Sequence, residues 1–219
     1  MANINDFKAK LAGGGARPNQ FKVTMPFPGY SQVGGEIEEL AFLCKVTQLP
    51  AMNIGPITVP FRGRQIKVAG DRTFADWTIT VINDTNFKIR NAFERWMNAI
   101  NKHDNATGEV TPDDYTENML VHQLGRATTN VLKTLDQGGP TIPVLRTYKF
   151  HGVFPTNVSA IELSYDQTDS IEEFTVDLQV QWWDVFEGKT NILNTVTDGG
   201  DQNTQITDLA ADSSTGTGN

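Results

Sequence analysis

Residues 64–84, RQIKVAGDRTFADWTITVIND, decide the fold. Ala75, Trp77, Ile79 and Val81 alternate there with Asp76, Thr78 and Thr80. That period of two marks a strand with one buried and one polar face. Ala69-Gly70-Asp71-Arg72, just before it, reads as a turn. Asn83-Asp84-Thr85, just after it, supplies a helix N-cap. Over 86–101, Ile89, Phe93, Trp96, Met97 and Ile100 then fall at helical spacing, with Arg90, Asn91, Glu94 and Asn98 on the other side. This is the clearest helix in the chain, and its single apolar stripe docks on sheet.

Upstream, Ile4-Phe7-Leu11 forms a short amphipathic start that breaks at Gly13-Gly14-Gly15. Phe21, Val23, Met25 and Phe27 predict a half-buried strand, followed by a Gly-rich turn over 28–37. A second strand is expected over 39–47, with Phe42, Cys44 and Val46 on one face, and a loop over 51–56. The stretch 57–69 is extended, but its parity changes between Ile57-Val59-Phe61 and Ile66-Val68. A one-residue slip reverses the faces, so a bulge or bend is expected near Gly63, ringed by Arg62, Arg64 and Lys67.

Downstream, 102–116 is polar loop and 118–125 a weak strand. Residues 128–145 form a hairpin or a loose loop around Gly138-Gly139-Pro140. Strands are expected at 146–154 (Tyr148, Phe150 and Phe154 inward), at 160–165 (Ile161, Leu163, Tyr165) and at 172–184. In the last, Phe174, Val176, Leu178, Val180 and Trp182 point inward, and Glu173, Thr175, Asp177, Gln179 and Gln181 outward. Trp183 then faces the opposite side, covered by the chain's own loops, its C-terminal tail or another subunit. From Gly188 the composition turns to Gly, Thr, Asp, Ser and Asn. The sum is about seven or eight strands in mostly meander order: a small β-barrel or two-sheet sandwich of antiparallel strands with one flanking helix.

The chain has 219 residues, 38% of them apolar, and a formal net charge of −8. Such an acidic surface disfavours tight nucleic-acid binding. The single cysteine, Cys44, excludes an intramolecular disulfide and a zinc site built on cysteines. There is no secretory signal pattern, and no run approaches the roughly 20 apolar residues that cross a bilayer. Synthesis in a cytoplasm, without membrane anchoring, is the expectation.

Convergent chemistry is missing. His103, His122 and His151 show no metal-ligand spacing, and Gly13-Gly14-Gly15 lacks the Lys-Ser/Thr of a phosphate loop. Asp71-Arg72 reads as a turn with an ion pair, Asp113-Asp114 as a solvated acidic loop, and Cys44 as a small buried apolar residue. No catalytic residue, metal or cofactor is expected.

Five segments carry a family likeness: ARPNQFKV (16–23), CKVTQLPA (44–51), RQIKVAGDRTFADWTITVIND (64–84), GVFPTNVSAIELSYD (152–166) and IEEFTVDLQVQWWD (171–184). In order and spacing they resemble the tail tube proteins of T-even-type contractile-tailed bacteriophages. The resemblance implies a small β-barrel or sandwich with a flanking helix, whose copies form rings of six that stack into a hollow tube. It implies these partners: other copies of the chain, the contractile sheath protein, baseplate and tail terminator proteins, a tape measure protein in the lumen, and DNA in transit without specific binding. The location implied is the virion tail, assembled in the host cytoplasm.

By the same resemblance, the loop at about 50–64 contacts the next ring. Pro50, Arg62, Arg64 and Lys67 are candidates for contacts between subunits and rings. Glu173, Asp177 and Gln179, on the polar face of the last strand, are candidates for the lumen wall. A tube domain is expected over 1–187, with an N-terminal arm (1–18) and an insert (128–145), followed by a polar extension (188–219). The alternatives are the tube of a phage-like bacteriocin, a type VI secretion-like tube, a baseplate tube initiator and, in a different class, a monomeric β-barrel binding module.

Overall fold

A computed structural model describes residues 3–10, 15–125, 142–187 and 190–191. All but residues 190–191 of the expected extension from Gly188, and most of the 128–145 insert, lie outside the described residues. The chain divides into two compact units. The larger comprises Val23–Leu120 and Lys149–Trp183, and the smaller comprises Met1–Lys22, Val121–Tyr148 and Asp184–Asn219.

In the larger unit the decisive alternation produces a central strand. Strand β5 (Trp77–Ile82) pairs antiparallel with β2 (Cys44–Thr47) on one side and with β8 (Glu173–Gln179) on the other. β8 in turn pairs with β7 (Val144–Val158) through Phe154–Val158. The expected meander order is therefore corrected, because β5 sits between strands distant from it in sequence. Antiparallel pairing holds throughout these ladders. Trp77, Ile79 and Val81 are fully buried, as are Phe174, Val176 and Leu178 opposite them. The Trp77 indole N–H donates to Thr47 Oγ1 at 2.9 Å, so its one polar atom is satisfied.

Helix α3 (Lys88–Ile100) follows the decisive stretch as its pattern predicts, but its N-cap is Phe87, left-handed at φ 53°, rather than Asn83-Asp84-Thr85. The Asp84 carboxylate accepts the backbone N–H groups of Asn86 and Lys88, both at 3.1 Å. Ile89, Ala92, Phe93 and Trp96 are buried. Phe27 meets Phe93 and Trp96 edge-on, at 5.1 and 5.9 Å between ring centroids. The Trp96 N–H reaches the carbonyl of Tyr115, at the end of the short helix α4 (Pro112–Tyr115). The strand expected from Phe21 is present as β1 (Phe21–Thr24), with Val23, Met25 and Phe27 buried.

Several expectations are corrected. Helix α1 (Ile4–Lys10) and helix α2 (Glu36–Leu43) join α3 and α4, so the helix is not single. α2 occupies half of the strand expected over 39–47. It begins with Glu36, Glu38 and Glu39 in its first turn, where carboxylates oppose the positive helix end, and Phe42 lies exposed on it. Residues 51–56 are not a loop, and Ala69–Arg72 is not a turn. Both lie in a hairpin of β3 (Met52–Phe61) and β4 (Arg64–Phe74). No strand forms at 160–165, where Leu163 and Tyr165 are exposed. The strand expected over 172–184 breaks after Gln179, and β9 (Trp182–Glu187) follows out of phase. Trp182 is therefore exposed rather than inward, its indole stacked on the His151 ring at 3.7 Å between centroids.

Strand β7 changes its buried parity between Phe150 and Val153, at Gly152. Gly152 has φ +60, and a Cβ there would lie 2.6 Å from Gln181 Cγ. Phe154 is thereby turned to the other side, against Tyr115. In the smaller unit, β6 (Glu117–Leu124) contributes Val121–Leu124, and β9 pairs with β10 (Thr190–Asn191). His122 Nδ1 lies 2.9 Å from Thr147 Oγ1. Burial, with a smaller contribution from Lys22, pushes the His122 pKa down.

Two substitutions test this account by urea denaturation. Trp96→Ala should cost about 3–5 kcal/mol through lost burial and an unpaired Tyr115 carbonyl. Gly152→Ala should cost about 1–3 kcal/mol, from positive φ and from the clash with Gln181. A Gly152→Ala midpoint equal to that of the unaltered chain would remove glycine's role in the parity switch.

Candidate assembly surface

The β3–β4 hairpin is built from the residues that the parity change singled out. Its register pairs Ile57 with Val68, Val59 with Ile66 and Phe61 with Arg64. Directly paired residues share a face, so one face is an apolar stripe of Ile57, Val59, Phe61, Ile66 and Val68, with Arg64 at its tip. The other face carries Pro56, Thr58, Pro60, Gln65, Lys67 and Ala69. Of the bulge or bend expected near Gly63, the bend is present: Arg62-Gly63 is the two-residue turn of a hairpin. A two-residue turn exchanges odd for even positions just as a bulge does, which is why the parity alone left the distinction open. Arg62 and Gly63 both have positive φ, 43° and 81°, as the tight primed turns require.

The irregularity in this hairpin lies further down. The register slips between Ile54 and Pro56, which face Arg72 and Ala69 respectively. Gly70-Asp71 thus stands opposite Gly55 alone, the two-against-one arrangement of a β-bulge. A Cβ on Gly70 would lie 2.7 Å from the Gly55 carbonyl oxygen, so the crossing needs glycine.

Among the described residues, nothing covers the stripe. Ile57, Val59, Phe61, Ile66 and Val68 keep between 45% and 58% of their surface in water. Five branched or aromatic side chains, side by side on a two-stranded ribbon, mark a face that waits for a partner. The basic side chains belong to the same element. Arg62, Arg64, Lys67 and Arg72 stand beside one carboxylate, Asp71, in a chain of net charge −8. The ion pairs formed among the described residues are Lys45–Glu173, Lys88–Glu39 and Arg90–Glu94, and none includes a hairpin cation. The Arg62 guanidinium lies 5.4 Å from the Phe61 ring centroid. Of the sequence candidates, Arg62 and Arg64 thus come together at the tip, whereas Lys67 lies further down on the other face, opposite Thr58, and Pro50 is buried ahead of β3.

The lumen candidates occupy the polar face of the β2-β5-β8 sheet. Glu173 accepts from Lys45 Nζ at 2.6 Å. Asp177 accepts from Thr78 Oγ1 at 2.8 Å and from Asn157 Nδ2 at 3.1 Å, and Thr80 and Thr175 hydroxyls lie between the two carboxylates. Gln179 is half-buried at the end of β8. Lys45, which the sequence reading did not single out, neutralises one of the two acids. The face is therefore hydroxyl-rich and only weakly anionic. Cys44 beside it is buried, and that burial pushes its thiol up to about 12. Among the described residues, no three His, Cys, Asp or Glu side chains gather as metal ligands. No helix among them is long and apolar enough to cross a membrane, which says nothing of membrane β-barrels.

Residues 16–185 match the family model described as phage tail tube protein. Tail tube protein gp19 of Enterobacteria phage T4 is 33% identical over 177 residues, which cover 81% of this chain and 96% of that protein. The tail tube protein of Serratia phage KSP90 is 30% identical over 181 residues, covering 82% and 94%. A chain of the sheath-tube complex of an extracellular contractile injection system (PVC, extended state, by cryo-EM) has a TM-score of 0.53 at 13% identity, covering 82% of this chain and 97% of that one. A chain of the anti-feeding prophage tube-terminating cap has a TM-score of 0.52 at 16% identity, covering 79% and 91%. At these identities the two structures speak for the fold alone.

The hairpin's exposure makes its own prediction. Ile57→Thr, Val59→Thr and Ile66→Thr together keep β-branching while removing apolar surface. The subunit's unfolding free energy should change by less than about 1 kcal/mol, as for exposed positions. Binding of an apolar fluorescent dye to the unassembled subunit should fall sharply. A loss of several kcal/mol would mean instead that the stripe belongs to the subunit's own core.

Proposed function

The chain belongs to the phage tail tube protein family, and from that membership we propose that its copies form rings of six which stack into a hollow tube through the β3–β4 hairpin. It is a structural protein of a contractile tail. The observation that carries the assembly reading is the hairpin itself, an apolar stripe and a basic tip left exposed among the described residues. A long exposed ribbon is a liability in a free monomer and an asset in a polymer. Arg62, Arg64 and Lys67 are the contacts we assign to this surface, with Pro50 setting the chain's path into it from within.

The polar face with Glu173, Asp177 and Gln179 is the proposed lumen wall. Hydroxyls and amides satisfied within the sheet offer a translocating phosphate backbone little to bind, and the uncompensated Asp177 repels it. Such a wall suits DNA in transit and, before ejection, a tape measure protein. The sheath, baseplate and terminator proteins complete the partner set, with assembly in the host cytoplasm.

Purified full-length protein at rising concentration should give rings and tubes in negative stain. A single species of 24.2 kDa at every concentration would favour a monomeric binding module instead. Arg62→Glu with Arg64→Glu should leave folding intact and shorten or abolish tubes; normal tubes from this variant would refute the hairpin assignment. For the wall, Asp177→Asn with Gln179→Lys should yield tubes that retain duplex DNA at low salt where unaltered tubes do not. Equal retention by both would place those residues away from the lumen.

A further inference from the structure

The larger unit carries a second uncovered surface, at the other end of its sheet. The segment 159–172 joins β7 to β8. Both of its feet are pinned. Ser159 N–H donates to the Thr175 carbonyl at 2.8 Å, and Ser159 Oγ accepts the Thr175 N–H at 2.8 Å. At the far foot, the Asn83 backbone N–H donates to the Glu172 carbonyl at 2.9 Å, and Asn83 Nδ2 to the Glu172 carboxylate at 3.0 Å. Between these feet, Leu163, Tyr165 and Ile171 are exposed by 77%, 105% and 72%. The segment contains Glu162, Asp166, Asp169 and Glu172 and no basic residue.

The β5–β8 register places this surface relative to the hairpin. Trp77 faces Leu178 and Ile82 faces Glu173. The hairpin enters the sheet through Phe74 to Trp77, and the segment enters it at Glu173. The two therefore leave opposite ends of one strand pair, separated by about 17 Å of strand. One end is apolar and basic, the other apolar and acidic.

We propose that the hairpin tip of one copy seats on the 159–172 segment of the next copy. Arg62 and Arg64 then meet Glu162, Asp166 and Asp169, while Phe61 and Ile66 cover Leu163 and Tyr165. The proposal rests on the reading of the hairpin as the assembly contact and adds its receiving surface. Charge complementarity selects this occupant: the segment has only carboxylates to offer, and the hairpin cations form no ion pair among the described residues. Two different patches at opposite ends make a head-to-tail contact, which stacks copies openly wherever its rotation does not close a ring.

The test compares four full-length forms by ultracentrifugal pelleting of tubes: unaltered, R62E/R64E, E162K/D166K/D169K, and all five changes together. Each separate reversal should lower the pelleted fraction about tenfold or more, since like charges then face each other, and the combination should recover most of it. Full pelleting of the segment reversal beside a soluble hairpin reversal overturns the receiving surface and leaves the hairpin's role standing. Full pelleting of the hairpin reversal overturns both. A combination no better than either reversal also overturns the pairing. A second arm does not depend on charge reversal: a chain with Phe61→Cys and Tyr165→Cys should give a ladder of disulfide-linked copies on mild oxidation. Monomer alone on a non-reducing gel overturns the proposal.

Discussion

The alternation in β5 is the constraint on which the larger unit depends. The strand is hydrogen-bonded on both edges, to β2 and to β8, and buried on one face. A strand so placed has no freedom of register, because a slip of one residue would exchange Trp77, Ile79 and Val81 for Thr78, Thr80 and Ile82. The remaining elements take their positions from it. The hairpin leads into its start, α3 follows its end through a turn in which Asp84 accepts the Lys88 N–H, and β8 copies its alternation across the ladder. The same alternation generates the polar face, since every buried position forces its neighbour outward.

Elements stabilised by their own periodicity were legible in the sequence. The strand at 77–82, the helix at 88–100 and the inward set of β8 emerged where their patterns place them. Elements whose apolar residues face outward were not. Ile161, Leu163 and Tyr165 alternate like a strand but meet no neighbouring strand among the described residues, and an exposed apolar side chain has the same hydropathy as one kept for the core. Within 51–74 the extended stretch 57–69 was legible, but the loop expected at 51–56 and the turn expected at 69–72 were wrong for a related reason. The region's pattern is that of a sheet face, yet nothing in the sequence states that the sheet has two strands and stands apart. Arg-Gly is also a less usual primed turn than Asn-Gly.

Helix α2 was hidden by the alternation of Phe42, Cys44 and Val46, which crosses the helix–strand boundary by coincidence. The signal that could have found it was present: a Gly34-Gly35 pair followed by three glutamates in one turn. The break between β8 and β9 could not be read, because Val180 continues the pattern and only the phase of Trp182 and Trp183 changes. For the candidate site, the basic cluster was legible and its geometry was not. Arg62, Arg64 and Lys67 are close in sequence, but only the hairpin register puts Arg64 on the apolar face and Lys67 on the other.

The placement of two unlike surfaces at opposite ends of β5 and β8 has a consequence for anything built from this chain. A head-to-tail stack has direction. One terminus presents basic hairpin tips and the other presents acidic segments, and neither is ever satisfied by adding another layer. In the proposed stack these two surfaces set no length. Growth would be started and stopped by other molecules, and the two that do so would be of opposite chemical character. A starter and a stopper could not exchange places, so the polymer's polarity would be fixed from its first layer.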